Sequence, residues 1–212
     1  MGEIMDIKLL YEDRDLVVCI KPVGVLSEGE GTPALLKELC QCENIYCISR
    51  LDRAVGGVMV YAKNAATAAK LSSAMGAGEL KKEYLAVVHG RPELENGVMR
   101  DLLFKDSAKN KSYVVKRMRK GVREAELEYS LLDAKENISL VKIKLHTGRS
   151  HQIRVQFSSR KMPLVGDVKY GSTCKDCNIA LWCEKIEFPH PRGGENLSFS
   201  AQPPEAFPWN KF

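Results

Sequence analysis

Hydrophobic and polar positions follow the short period of β-strands over more of this chain than they follow a helical period. Apolar runs and stretches of strict alternation predict strands at 57–63, 81–90, 124–132 and 139–148, and residues 15–27 predict a strand followed by a turn at Pro22 and Gly24. In 124–132, Ala125 and Leu127 alternate with glutamates, which is typical of a half-buried antiparallel strand. The tail, residues 179–204, predicts two further short strands around the turn at Gly193 and Gly194.

Three segments have helical spacing with polar residues at their starts. TPALLKELCQC begins with Thr32 as the predicted N-cap, NAATAAKLSSAMG begins with Asn64, and SHQIRVQFSSRK begins with Ser150. Few helices and many strands with short connections predict an α+β fold, a mainly antiparallel mixed sheet with a few flanking helices. The chain contains no repeat and no linker composition, so we expect a single domain over residues 1–212.

Composition narrows the class of protein. The chain has 212 residues, of which 44% are hydrophobic and 28% charged, as in ordinary globular proteins. It has no apolar run of the ~18 residues that a membrane span needs. The first fifteen residues lack a signal-peptide pattern, and Asp6 occupies the position where N-myristoylation requires Ser or Thr. We therefore expect a cytoplasmic protein that does not bind a membrane.

The seven cysteines fit reduced thiols in such a compartment. Cys174 and Cys177 form an isolated CxxC, and Cys40 and Cys42 lie close together elsewhere. A four-thiolate zinc site could be assembled from these two pairs, but their spacing matches no standard zinc motif. We expect loop cysteines and no metal.

The net charge of +5 permits a polyanionic partner without requiring one. Residues 109–123 concentrate Lys and Arg without any acidic residue. The segment is therefore either a solvated hairpin or loop, or a contact with nucleic acid. The candidate contacts are Lys116, Arg117, Arg119 and Lys120.

Asp52 is the first candidate for chemistry, in SRLDRAVGGVMVYAKN (49–64). Arg50 and Arg53 flank it, and nearby positive charge favours the ionised carboxylate that a nucleophile needs. The two following glycines would let a backbone or a flat ligand approach closely. The alternative is a turn aspartate in an exposed salt bridge.

A second candidate is HTGRSHQIR (146–154), in which a strand end, a turn and a helix start predict an anion site. Arg149 lies in the turn, Arg154 in the first helical turn, and His151 and Gln152 between them. A capped surface helix with solvated arginines is the alternative. Tyr84 is a third candidate, although a strand tyrosine is equally well explained by core packing.

In their order along the chain, these segments resemble the RluA-like family of pseudouridine synthases over residues 7–208. The specific parts are the RLD…G block and the block TGRSHQIR…PLVGDVKYG. The resemblance implies a pseudouridine-synthase-like catalytic domain that needs no cofactor and isomerises uridine in ribosomal or transfer RNA. It assigns the nucleophile to Asp52, the active-site tyrosine to Tyr84 and the arginine partner of the aspartate to Arg154.

The remaining site residues would bind RNA. A flipped-out nucleotide would meet Asp52, since the reacting bond is hidden in stacked RNA. Phosphates would be held by basic and polar side chains, namely Arg50, Arg149, His151, Gln152, Lys116, Arg117, Arg119 and Lys120. We expect the protein to act as a monomer. The resemblance leaves open whether Asp52 attacks ribose carbon 1 or supports an elimination that forms a glycal.

The chain departs from the family pattern at three places. Ser49 replaces the usual His before Arg-Leu-Asp, AVGG (54–57) replaces Asp-Thr-Ser-Gly, and LWC (181–183) replaces Leu-His-Ala. These departures favour one alternative, a degenerate RNA-binding module on the same fold. An unrelated hydrolase with an aspartate nucleophile is another, which the basic segment disfavours.

Overall fold

The computed structural model describes residues 7–212, so Asp6 and the residues before it lie outside the described part. The chain forms two compact units. The first contains the residues up to Lys82 together with Trp182–Pro203, and the second contains Glu83–Leu181 together with Pro204–Phe212. A single domain over 1–212 remains a prediction.

Strands dominate both units, as the patterning predicts. The strands are β1 (Lys8–Glu12), β2 (Leu16–Lys21), β3 (Tyr46–Cys47), β4 (Gly56–Ala62), β5 (Lys81–His89), β6 (Asn96–Asp106), β7 (Lys111–Val115), β8 (Val122–Lys135), β9 (Ile138–Leu145), β10 (Leu181–Pro189) and β11 (Asn196–Ser200). The helices are α1 (Thr32–Leu39), α2 (Ala65–Gly76) and α3 (Gln152–Ser159). No helix within residues 7–212 is both long and apolar enough to cross a bilayer.

In the first unit, β4 is the central strand, and all seven of its residues are buried. It pairs antiparallel with β2 and β3, and it pairs in parallel with the start of β10 at Trp182 and Cys183. β1 extends the sheet beyond β2, and β11 pairs with β10. A strand enclosed in this way must be apolar throughout, which explains the run VMVYA.

In the second unit, β5, β9, β8, β6 and β7 follow one another as antiparallel neighbours. Ala125 and Leu127 of β8 are buried, so the alternating pattern identified the inward face correctly. A cluster of Leu103, Ala125, Val155 and Tyr170 lies beside α3. The pattern did not predict β6 and β7. Residues 111–115 of the basic segment form β7, which pairs antiparallel with β6, so the hairpin alternative is correct for this part of the segment.

Helix starts were predicted with mixed success. The side chain of Asn64 accepts a hydrogen bond from Thr67 N, which confirms it as the N-cap of α2. The prediction for Thr32 is wrong, because Gly31 is the N-cap of α1 and the Thr32 hydroxyl donates to Leu26 O. The prediction for Ser150 is also wrong, because His151 occupies the N-cap of α3 in a left-handed conformation.

Candidate active site

Asp52 lies in the connection that leads into β4, where a turn brings Val55 N within 2.9 Å of the Asp52 carbonyl oxygen. The side chain is partly buried, and Leu51 before it and Val55 after it are buried. These apolar neighbours anchor the connection on both sides. The carboxylate is therefore held at the beginning of a fully buried strand.

Lys21 is a buried lysine of the first unit that interacts electrostatically with Asp52. Its side chain has no solvent exposure, and its ammonium donates to the carbonyl oxygens of Pro22 at 2.8 Å and Val25 at 2.7 Å. Burial lowers the pKa of Lys21 to about 8, while the negative charge of Asp52 acts in the opposite direction. A positive charge that interacts with Asp52 thus comes from the end of β2.

The arginines that flank Asp52 have contacts of their own. Arg50 forms an exposed ion pair with Glu28 at 3.0 Å. Arg53 donates from Nε to the Gly24 carbonyl oxygen at 2.7 Å. Arg53 therefore braces the neighbouring turn, and Arg50 stays on the surface, where a phosphate could compete with Glu28.

The departures from the family pattern occur in the first unit, and two of them pack on each other. A Cβ on Gly56 would lie 2.5 Å from Cζ3 of Trp182, and a Cβ on Gly57 would lie 2.4 Å from the Cys183 carbonyl oxygen. Gly57 also has a φ of +125°, which side-chain-bearing residues rarely adopt. The glycines are thus explained by close approach of β10, and the Trp182 indole fills the space that a side chain at 56 would need.

Tyr84 lies in β5 opposite Ile143 of β9 and is only 5% exposed. Ala86 and Val88, which follow at the same strand period, are fully buried. This burial is what core packing of Tyr84 predicts. It is equally compatible with an active-site tyrosine that contacts a nucleotide base where water is excluded.

Arg154 is placed by Asp167 and Tyr170. Its guanidinium donates from Nε and Nη2 to the two carboxylate oxygens of Asp167, at 2.7 and 2.9 Å. Its Cζ lies 5.0 Å from the centroid of the Tyr170 ring, a cation–π distance. Asp167 and Tyr170 lie in PLVGDVKYG, at the other end of the block that contains Arg154, so one end of this block positions the other.

His151 is connected to the same tyrosine. Its Nδ1 lies 2.9 Å from the Tyr170 hydroxyl, which also accepts a hydrogen bond from Ser112 N at 2.7 Å. The left-handed φ of +54° at His151 is unusual for a residue with a side chain. Tyr170 therefore links the start of α3 to β7.

Gln152 is buried and has contacts inside the protein. Its Oε1 accepts from Thr147 Oγ1 and from Arg149 N, and its Nε2 donates to the Glu126 carbonyl oxygen at 3.0 Å. The amide side chain thus builds the turn that precedes α3. Arg149 is exposed and donates from Nε to the Glu124 carbonyl oxygen at 2.8 Å, which leaves its charge at the surface.

The basic candidates of the second unit lie in the connection from β7 to β8. Lys116, Arg117, Arg119 and Lys120 are all exposed, and none forms an ion pair with a carboxylate of residues 7–212. Arg119 lies over the ring of Phe104 with its Cζ 5.1 Å from the centroid. Uncompensated charge of this kind is what a phosphate backbone attracts.

The cysteines provide no metal site in the described part of the chain. Cys174 and Cys177 have their sulfur atoms 3.8 Å apart, and burial raises the pKa of the Cys177 thiol to about 11. Across residues 7–212, no three His, Cys, Asp or Glu side chains are grouped so that they could hold a metal ion.

The sequence reasoning missed Lys21, Asp167 and Tyr170, which act on or position the candidate residues. Lys21 could have been found as a lysine that ends an otherwise apolar run, LVVCIK. Asp167 and Tyr170 could have been found in the quoted block VGDVKYG, where a lone acid and an aromatic follow a turn glycine.

Known proteins match the chain over both units. The family model described as RNA pseudouridylate synthase matches residues 15–159, which include Asp52, Tyr84 and Arg154. An uncharacterized RNA pseudouridine synthase of Bacillus subtilis, YlyB, is 31% identical over 97% of this chain and 72% of its own length. Ribosomal large subunit pseudouridine synthase D of Xanthomonas campestris is 32% identical over 94% of this chain and 66% of its own length.

The fold has solved counterparts. One is the structure of the human protein RNA Pseudouridylate Synthase Domain Containing 4. The match covers 93% of this chain and 88% of the human chain, with a TM-score of 0.79 and 24% sequence identity. Another is the human protein RNA Pseudouridylate Synthase Domain Containing 1. That match covers 97% of this chain and 87% of the human chain, with a TM-score of 0.82 and 20% sequence identity. These likenesses confirm the predicted fold class.

Proposed function

Because the chain belongs to the RNA pseudouridylate synthase family, we propose that it converts specific uridines of structured ribosomal or transfer RNA to pseudouridine with Asp52 as the nucleophile. Membership makes the protein an RNA pseudouridine synthase, an isomerase that acts on uridine in RNA. The observation that carries the role of Asp52 is its place: a partly buried carboxylate at the start of β4, under the influence of the buried Lys21 ammonium.

The reaction breaks the bond between uracil N1 and ribose carbon 1. The detached uracil turns and joins the same carbon through its carbon 5, and the hydrogen on carbon 5 leaves as a proton. Asp52 could attack ribose carbon 1 and be displaced when the new bond forms. It could instead stabilise the positive charge that develops on the sugar while Tyr84 takes or relays a ribose proton.

We assign Arg154 as the partner that keeps Asp52 charged and oriented. Asp167 supports this assignment because it engages two donors of the guanidinium side by side and thereby fixes its plane. Because Arg154 makes two hydrogen bonds to Asp167, the alternative of a solvated surface arginine does not apply to it. No step of this scheme requires a metal or a cofactor.

RNA would be held by exposed cations. The connection from β7 to β8 supplies Lys116, Arg117, Arg119 and Lys120, and Arg50, Arg149 and His151 are further contacts. Gln152 contributes by building the turn that carries Arg149 and His151. We propose action as a monomer in the cytoplasm.

The test uses RNA from cells that lack the gene, labelled with tritium at uracil carbon 5. The wild-type protein should release tritium as pseudouridine forms, and Asp52→Asn should release none, because the amide is a poor nucleophile and carries no charge. Its RNA affinity should stay within about tenfold of wild type, since phosphate contacts dominate binding.

A melting curve must show that Asp52→Asn is folded. Comparable turnover by the folded variant would remove Asp52 from the mechanism. If the wild-type protein binds this RNA but releases no tritium, the degenerate RNA-binding module becomes the better description, and the departures at Ser49 and Gly56 favour that outcome.

A further inference from the structure

Lys82 of the first unit is a partly buried cation that has only a neutral partner among residues 7–212. Its ammonium donates a short hydrogen bond to the Ser49 hydroxyl, and no Asp or Glu carboxylate of the described chain lies within ion-pair distance. The groups that act on it electrostatically are the thiols of Cys183 and Cys47. One of its three N–H groups is thus used by Ser49, and no anion of the described chain balances its charge.

Burial of such a charge is unfavourable unless a partner compensates it. The loss of solvation lowers the pKa of Lys82, in agreement with that cost. Lys63, another partly buried lysine of the same unit, shows the usual solution, since it pairs with Glu12 at 2.7 Å. A partly buried ammonium that lacks an anionic partner is a candidate for a functional site, and an anion from outside the chain would compensate its charge.

The position of Lys82 indicates which anion that is. Its acceptor, Ser49, begins the SRLD segment and precedes Asp52 by three residues. Lys82 also precedes Tyr84 by two residues in β5, and side chains two apart in a strand point to the same side. A nucleotide that reaches Asp52 brings phosphates with it, and these are the anions available there.

We propose that Lys82, steadied by Ser49, binds a backbone phosphate beside the target uridine and thereby positions the nucleotide for Asp52. This inference rests on the proposed function, because the phosphate belongs to the RNA substrate. It also gives the Ser49 departure a role, since a hydroxyl can accept from the ammonium without adding charge.

The first experiment measures tritium release at limiting RNA, with RNA from cells that lack the gene, across a series of salt concentrations. Lys82→Met should lower kcat/KM at least about tenfold and make the slope of log kcat/KM against log salt shallower by ~0.7, the value for one phosphate contact. Lys82→Arg keeps the charge and should stay within about threefold, with the wild-type slope.

Lys81→Met is the matched control, because Lys81 is the exposed neighbour on the other side of the same strand. It should leave both kcat/KM and the slope unchanged. An unaltered slope in folded Lys82→Met, or an equal change in Lys81→Met, would overturn the proposal.

A second experiment uses the wild-type protein, so that it does not depend on the folding of a variant. The protein is treated with an amine-acylating reagent with and without saturating RNA, and the acylated lysines are identified by mass spectrometry. RNA should protect Lys82 more strongly than Lys81, and equal acylation of Lys82 in both samples would contradict the proposal. If RNA protects Lys82 but the wild-type protein releases no tritium, the proposed function fails and the phosphate site stands.

Discussion

Asp167 accepts two parallel hydrogen bonds from Arg154, and both side chains are buried. The Tyr170 ring lies against the same guanidinium. Because a buried arginine cannot lose its proton, its charge must be compensated inside the protein. Asp167 is therefore required for Arg154 to occupy one defined orientation.

Asp167→Asn should test this requirement. The variant replaces a charged partner of the buried guanidinium by a neutral one, so we expect the free energy of unfolding to fall by about 3–5 kcal/mol. Tritium release should fall at least about tenfold in protein that remains folded, because Arg154 can then rotate. Urea unfolding and the release assay measure the two effects.

Glu126→Gln is the control for Asp167→Asn. Glu126 also accepts two hydrogen bonds from an arginine, Arg100, but that pair is exposed to solvent. Its loss should not measurably change stability or activity. Equal effects in the two variants would show that burial is not what makes the Asp167 pair important.

The connection from β7 to β8 should contribute affinity for RNA that does not depend on the RNA sequence. Replacing Lys116, Arg117, Arg119 and Lys120 by Ala should flatten the slope of log affinity against log salt by roughly 3 units, at ~0.7 per phosphate contact with single-stranded RNA. The measurement is a gel shift with RNA from cells that lack the gene.

A charge-matched control replaces four other exposed lysines by Ala, namely Lys8, Lys37, Lys175 and Lys211. If this control flattens the slope as much as the change in the connection does, only the net charge of the protein matters. If neither variant changes the slope, the connection is solvated and RNA binds elsewhere.

Lys21 should make stability depend on pH. Its folded-state pKa of about 8 lies below the ordinary value of 10.5, so between these two values the unfolded chain binds more protons than the folded chain. Stability must therefore rise with pH in this window, by at most ~1.4 kcal/mol per pH unit, and its contribution is smallest below pH 8.

The comparison is wild type against Lys21→Met by urea unfolding at pH 7 to pH 10. The wild-type protein should gain stability relative to Lys21→Met as the pH rises. The exposed Lys37 provides the control, and Lys37→Met should differ from wild type by the same amount at every pH. A pH-independent difference for Lys21→Met would mean that the pKa of Lys21 is the same in the folded and the unfolded chain.

Gly56→Ala should be costly because of Trp182. The added Cβ would lie 2.5 Å from the indole, and overpacking of this kind costs about 1–3 kcal/mol. In a Trp182→Ala background the same change should cost less than about 1 kcal/mol, so a double-mutant cycle by urea unfolding should show coupling.

Gly57→Ala is the comparison that separates the clash with Trp182 from backbone strain. Its Cβ would meet the Cys183 carbonyl oxygen, and its φ is positive. Trp182→Ala should therefore not rescue Gly57→Ala. Rescue of both glycine variants would indicate a general loosening of β10 rather than a specific contact.

The fold was largely predictable because its central strands carry strong local patterns. The seven residues of β4 and the alternation in β8 and β9 identify buried positions without any tertiary information. β6 escaped prediction because its polar and apolar residues alternate irregularly, so β8 and β7 on either side determine that it is a strand.

The candidate site was predictable only in part. The residue patterns made Asp52, Tyr84 and Arg154 candidates, but their roles came only from the family resemblance and stay predictions. The residues that place them were not found, because Asp167 and Lys21 act through contacts that the order of residues does not reveal. Ser150 failed as an N-cap because the Gln152 side chain bonds Thr147 and Arg149 N and so builds the turn by another route.

The contact between Trp182 and Gly56 makes two positions that are far apart in the sequence depend on each other. A Cβ at 56 would lie 2.5 Å from the indole, so a side chain at 56 and an indole at 182 compete for the same space. A side chain at 56 is therefore expected to be tolerated fully only together with a smaller residue at 182, and with tryptophan in place it must lower the stability of the fold.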